Sequence, residues 1–268
     1  MKLPSCSTLN LRFSKGCLHI QLNRPEIGNA LNLAMVNELV NVFSSIERNR
    51  DVRAVVLKGA GRHFCVGGDV KEMIQGGAGE DDAGGPSFQA NLRFGALLSL
   101  AARLPQVLIA CISGSAMGGG LGLVCVSDFA VSTRDAVFAL PETGLGVPPA
   151  QVLPFLTQRV GLTQARSLVL IGHPISGLEA KGIGLVHHVC ATAGELDFYA
   201  DRIIAQVMTR APGANAAAKS LMLQVGLEPL PALLEKGAVG FSACLRSEEG
   251  REGMAAFLEK RSPYWTEE

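Results

Sequence analysis

The sequence predicts a mixed α/β body followed by a helical segment, and three observations carry that prediction. Val52 to Lys58 and Val107 to Ile112 are short apolar runs rich in β-branched residues, the pattern of strands buried on both faces. Val36, Leu39, Val40, Phe43 and Ile46 recur with the spacing of an amphipathic helix. Beyond Glu195, helical stretches follow one another with hardly a strand candidate. The 268 residues allow one large domain, or one domain and an appendage, and suffice to bury a full core without disulfides.

Along the chain, Gly16 to Asn23 alternates Cys17, Leu18, Ile20 and Leu22 with polar neighbours and stops at Arg24-Pro25, as a strand ending in a proline turn does. The period changes at Asn32, where the amphipathic helix begins, and the helix ends near Arg50. The order is strand, helix, strand, loop, helix, strand. The loop is Gly76 to Pro86, too polar and too rich in glycine to pack; it is either a solvent loop or a flap over a pocket. The C-terminal helices are expected at Leu196 to Arg210, Asn215 to Val225, Leu230 to Gly237 and Glu248 to Lys260. Residues 1–195 thus form the expected core, and residues 196–268 a helical segment.

Composition excludes several functions. Lys plus Arg and Asp plus Glu are both 24, and no basic stripe runs along the chain, which argues against nucleic acid. Charged residues make up 18%, below the roughly 25% of an average soluble domain, and hydrophobic residues 48%, so disorder is excluded and surface buried in an oligomer is expected. The longest apolar run, Gln106 to Val126, is broken by Ser113, Ser115 and glycines, and falls short of the roughly 20 apolar residues of a membrane span. Met1 to Arg12 lacks the pattern of a secretory signal. Seven scattered cysteines with no CxxC pair read as reduced thiols of a cytoplasmic protein. No metal is expected: there is no HExxH, and only His187 and His188 adjoin.

Three segments are candidates for chemistry. Ile112 to Asp128 carries a buried strand into Gly118-Gly119-Gly120 and an apolar helical turn, where unshielded backbone N–H groups suit an anion or oxyanion; close strand-to-helix packing is the competing use of these glycines. Gly61 to Met73 forms a second glycine turn after the Val52 strand, and two such turns supply the two donors of an oxyanion hole. Glu142, within Phe138 to Gly146, is either a solvated helix start or a carboxyl raised by apolar flanks towards a pKa useful for proton transfer.

In this order the segments resemble the crotonase, or enoyl-CoA hydratase/isomerase, superfamily. Asn23-Arg24-Pro25 with Asn29-Ala30-Leu31 is similar to its N-terminal signature, and Phe64 to Asp69 and Gly118 to Gly120 to its two oxyanion turns. The likeness continues through Gly172 to Ser176, Ala180 to Val186 and Glu249 to Arg261, and so covers almost the whole chain.

The resemblance implies a spiral of β-β-α turns and a C-terminal helical oligomerisation segment that builds trimers or hexamers. It implies a coenzyme A thioester as substrate, with no separate cofactor. The N–H groups of Gly68 and Gly119 would hold the thioester oxygen, and Ile27, Val66, Gly68, Asp69, Val70 and Lys71 would line the coenzyme A channel. Lys71 would meet a phosphate, unless it is a solvated surface charge. Hydratases with two glutamates carry one at the position of Gly122; here Glu142 alone remains. The stretch Gly118 to Asp128 with Leu140 to Gly146 looks closest to isohexenylglutaconyl-CoA hydratases, relatives of the methylglutaconyl-CoA hydratases. Hydration of a branched, glutaconyl-type enoyl-CoA is therefore the leading expectation, with Gly122 leaving space for a branch at C3. A double-bond isomerase using Glu142 alone is second, an acyl-CoA hydrolase third, and a non-catalytic acyl-CoA-binding relative fourth.

Overall fold

The computed structural model describes residues 3–76 and 84–266. Most of the glycine-rich stretch 76–86, for which a solvent loop and a flap were both expected, lies outside the described residues. Strands β1 (Leu9–Ser14) and β2 (Cys17–Leu22) form an antiparallel hairpin. Its two-residue turn, Lys15-Gly16, has φ of 47° and 71°, the positive values that match the twist of a tight hairpin. Then follow α1 (Leu33–Ile46), β3 (Ala54–Gly59), α2 (Val70–Gly76), α3 (Pro86–Arg103), β4 (Val107–Ile112), β5 (Ser115–Met117) and α4 (Gly119–Cys125). The remainder is β6 (Phe129–Thr133), β7 (Val137–Ala139), α5 (Leu153–Leu170), β8 (Ile175–Ser176), α6 (Gly177–Gly182), β9 (His188–Cys190), α7 (Ala193–Met208), α8 (Pro212–Met222), α9 (Leu230–Arg246) and α10 (Glu248–Glu259).

The main sheet has the order β1-β2-β3-β4-β6-β9, parallel from β2 onward. A second sheet, β5-β7-β8, is extended by single bridges Cys65 to Ala116 and Leu31 to Gly68. Each of β2, β3, β4 and β6 therefore leads into a short extended piece of the second layer and then into a helix, which is the expected spiral of β-β-α turns. Burial explains why: β3 and β4 are apolar at nearly every position because both faces are covered. Between the layers lies the main core, with Phe43, Phe64 and Phe138 fully buried. α1 begins where Asn32 Oδ1 accepts the Met35 N–H at 2.9 Å, and it buries Met35, Val36, Leu39, Val42, Phe43 and Ile46.

On the opposite face of the main sheet, Leu196 and Ala200 of α7 pack against Val56, Ile109 and Val131. The expected division at residue 195 thus falls inside α7, whose first half belongs to the core. α8 is tied to the sheet by Lys219, whose Nζ donates to Asp128 Oδ2 at 2.6 Å and to Gln106 O at 3.1 Å. By contrast α9 and α10 leave Phe241, Phe257 and Leu258 exposed at 68%, 80% and 79%. No helix of the described residues is long and apolar enough to cross a membrane.

Candidate active site

The second-layer segment 65–69 is clamped on both sides. Cys65 N–H donates to Ser115 O at 3.0 Å and Met117 N–H to Cys65 O at 2.9 Å. On the other side, Leu31 N–H donates to Gly67 O at 2.7 Å and Asp69 N–H to Leu31 O at 2.9 Å. Across a trans peptide the N–H opposes the preceding C=O, so Gly68 N–H points away from Leu31. The same reasoning applies at α4: Gly118 O accepts the Gly122 N–H at 3.1 Å, and Gly119 N–H therefore faces out of the helix start. Among the described residues neither N–H has an acceptor. The residues preceding them touch: a Cβ on Gly118 would lie 3.5 Å from Gly67 Cα, and one on Gly67 3.2 Å from Met117 O. Gly67 and Gly118 have φ of 105° and 49°, so close approach and backbone conformation both require glycine here.

Glu142 opens a short 3-10 turn, Glu142–Leu145, after Pro141. Its Oε1 lies 2.5 Å from where a Gly118 Cβ would sit, so the carboxylate occupies the space that the glycine leaves. Its Oε2 is buried and has no hydrogen-bond partner among the described residues. Burial pushes the carboxyl above its ordinary pKa, and a hydrogen bond with its own backbone N–H offsets this only in part. The side chain is half-buried, which favours the partly buried reading of Glu142 over the solvated helix start.

The residues expected along the thioester channel differ in exposure. Ile27 is 39% and Val70 53% exposed, Val66 is half-buried beside Gly28, and Gly68 and Lys71 are exposed. Asp69 differs from the rest: its Oδ2 accepts from Arg24 Nη2 at 3.0 Å and its Oδ1 from Glu72 N–H at 3.4 Å. Burial alone would raise this carboxyl, but the bonds from Arg24 and from the backbone outweigh it and hold the group below its ordinary value. Asn29, buried and at φ 57°, accepts from Arg24 N–H at 2.9 Å and donates to Ala60 O at 2.9 Å and His63 O at 2.7 Å. In the sequence Arg24 and Asn29 stand out only as signature residues; their 45-residue reach to Asp69 and 34-residue reach to His63 leave no local pattern to find.

Gly122 requires a correction. A Cβ there would meet Val152 Cγ2 at 3.0 Å and Leu98 Cδ1 at 3.2 Å, so the position is already filled by neighbouring side chains and leaves no space for a substrate branch. The apolar wall around the two free N–H groups also includes Met73, 3.0 Å from a Gly68 Cβ position, and Leu31 and Phe94, 3.0 and 3.1 Å from one on Gly119. Among the described residues no group of three or more His, Cys, Asp or Glu side chains could hold a metal ion. His187 accepts from Ala130 N–H at 3.0 Å and stacks on Phe129, while His188 stacks on Tyr199. All seven cysteines are free thiols, and burial pushes Cys17, Cys65, Cys111 and Cys125 up to about 12, which leaves them unreactive.

Known proteins share this arrangement of layers. Residues 12–268 match the family described as enoyl-CoA hydratase/isomerase, and the chain belongs to it. A solved structure of an enoyl-CoA hydratase/isomerase from Marinobacter aquaeolei is 42% identical and superposes with a TM-score of 0.95, covering 98% of this chain and 100% of that one. Pseudomonas aeruginosa AtuE is 45% identical with a TM-score of 0.93, over 97% of this chain and 100% of that one. The Bacillus subtilis protein YngF, carrying an enoyl-CoA hydratase/isomerase name, is 38% identical over 248 residues, 90% of this chain and 91% of its own. The protein is therefore an enzyme of the enoyl-CoA hydratase/isomerase type.

Proposed function

We propose that the protein hydrates the C2–C3 double bond of a branched, glutaconyl-type enoyl-CoA, isohexenylglutaconyl-CoA among the candidates, with Glu142 as both base and acid. The observation that carries this reading is the Glu142 carboxylate against Gly118, its buried Oε2 without a partner among the described residues, one residue before the outward N–H of Gly119. Glu142 takes a proton from water as the oxygen bonds to C3. The π electrons move to C2 and on to the thioester oxygen, where the N–H groups of Gly68 and Gly119 stabilise the enolate. Glu142 then returns the proton to C2, and the net change is addition of one water. Each such donor is worth roughly 100- to 1,000-fold in rate when aimed at developing charge. No cofactor enters these steps.

Ile27, Val66, Gly68, Asp69, Val70 and Lys71 line the channel for coenzyme A in this reading. The Arg24 ion pair neutralises Asp69, so Lys71 is left as the charge offered to a phosphate. The preference for an acidic, branched acyl group no longer rests on space at Gly122. It rests on the absence of a carboxylate there, next to the apolar Leu98 and Val152, because such a carboxylate would repel an acidic substrate. The same observation favours a second reading, a double-bond isomerase in which Glu142 alone moves a proton between C2 and C4.

Incubation with crotonyl-CoA, 3-methylglutaconyl-CoA, isohexenylglutaconyl-CoA and a 3-enoyl thioester, followed by mass spectrometry and chromatography, separates the two. Gain of one water on the branched acids, at least roughly tenfold faster than on crotonyl-CoA, supports hydration. Faster rearrangement of the 3-enoyl thioester without mass change supports the isomerase. The exposed apolar residues of α9 and α10 further support assembly into trimers or hexamers, and the unpaired thiols a cytoplasmic location. A monomeric mass by light scattering would contradict the assembly.

A further inference from the structure

A cavity of about 290 Å³ lies at the end of the sheet opposite the candidate active site. Its wall includes Arg53, just before β3, and Gln106, just before β4, whereas the two glycine turns follow the far ends of the same strands. Six-residue strands separate the two places by about 20 Å. Arg48, Arg50, Arg53 and Arg210 line the cavity, and Glu47 is the one acid on its wall among the described residues. The chain as a whole carries no net charge, so this concentration of arginines is local.

Hydrogen bonds hold the wall together beneath these charges. Arg53 Nη1 donates to Trp265 O at 2.7 Å, and its Nη2 to Met208 O at 2.8 Å and Arg210 O at 2.6 Å. Gln106 is buried, with Nε2 donating to Ile46 O at 2.7 Å and Asn49 O at 3.2 Å. The side chains of Arg48, Arg50 and Arg210, in contrast, have no hydrogen-bond or ion-pair partner among the described residues. Glu249, which acts electrostatically on Arg53, is itself engaged by Gly213 N–H at 2.8 Å.

We propose that this cavity binds a small phosphate-bearing anion, and that the site is separate from the thioester channel. A carboxylate is satisfied by one guanidinium fork, whereas three arginine side chains without partners among the described residues, on the wall that also holds Arg53, offer the donors and charge that suit the several acceptor oxygens of a phosphate or pyrophosphate group. Val52, Pro105 and Val207 supply apolar wall for a small organic portion.

Calorimetric titration of the full-length protein with pyrophosphate tests the site. Saturable binding of one pyrophosphate per chain is expected, weakened by roughly tenfold or more in the Arg50→Ala/Arg210→Ala double variant and in Arg210→Glu. Both sites lie on exposed side chains, so circular dichroism should show the variants folded, and the Lys71→Ala variant should bind pyrophosphate as the parent does. Absence of saturable binding, or binding that survives both arginine variants, would overturn the proposal. Loss in Lys71→Ala with retention in the arginine variants would do so as well, because it would put the anion in the thioester channel.

Discussion

Two polar groups lie against the two glycine turns, Asn29 at one and Glu142 at the other, and they differ in how fully they are hydrogen-bonded. Asn29 is fully buried and every bond it makes is accounted for, with Arg24 N–H, Ala60 O and His63 O as partners. Glu142 has a buried oxygen with no partner and a carboxyl raised by that burial. A satisfied amide stabilises a fold; an unsatisfied carboxylate costs stability and persists where its chemistry is used. The residues that made the chain resemble its family thus split into two kinds. Arg24, Asn29 and Asp69 hold one glycine turn in place, and Glu142 lies against Gly118 of the other.

Substitutions that exchange the two roles should break this contrast. The largest effect is expected on activity: Glu142→Gln keeps the size of the side chain and removes proton transfer, for a loss of roughly 100- to 10,000-fold in kcat. Its melting temperature should stay the same or rise, because a buried charge has been removed. Asn29→Ala should do the reverse. It strips three hydrogen bonds and places alanine at positive φ, costing about 3 to 5 kcal/mol in urea unfolding. Below that falls Gly122→Glu, which must displace Val152 and Leu98 and bury an unpaired charge, at a cost of about 2 kcal/mol or more. A Gly122→Glu protein as stable as the parent would show that the space at this position is open after all.

The sequence made the main sheet legible because its strands are long enough to carry a pattern. Val107–Ile112 is observed as expected, and the Val52 run yields β3 at Ala54–Gly59. β1 is hard to see in the sequence, although Leu9, Leu11 and Phe13 alternate with polar residues before the Lys15-Gly16 turn; as an edge strand it leaves Phe13 36% exposed, and its pattern is weak. The second layer was legible only through its glycines. β5, β7 and β8 are two or three residues long and pair with one another, and no periodicity develops over such lengths. For Glu142 the apolar flanks signalled burial, but the contact with Gly118 joins residues 24 positions apart and needed the fold. The filling of the Gly122 position by Leu98 and Val152 was hidden for the same reason.

Titration of the Glu142 carboxyl by carbon-13 NMR, with Asp69 followed in the same spectra, measures the contrast directly. Glu142 is held above its ordinary value mainly by burial, so protonation favours the folded state. Its cost to stability is present above its folded midpoint and is relieved as pH falls. Asp69 is held below its ordinary value, so its contribution is present above the unfolded midpoint and is lost as pH falls through the folded one. The account predicts a Glu142 midpoint above that of an exposed glutamate, an Asp69 midpoint below that of an exposed aspartate, and a turnover rate that falls with decreasing pH through the Glu142 midpoint. A Glu142 midpoint at or below that of an exposed glutamate would contradict it, since burial would then not govern the carboxyl's hold on its proton.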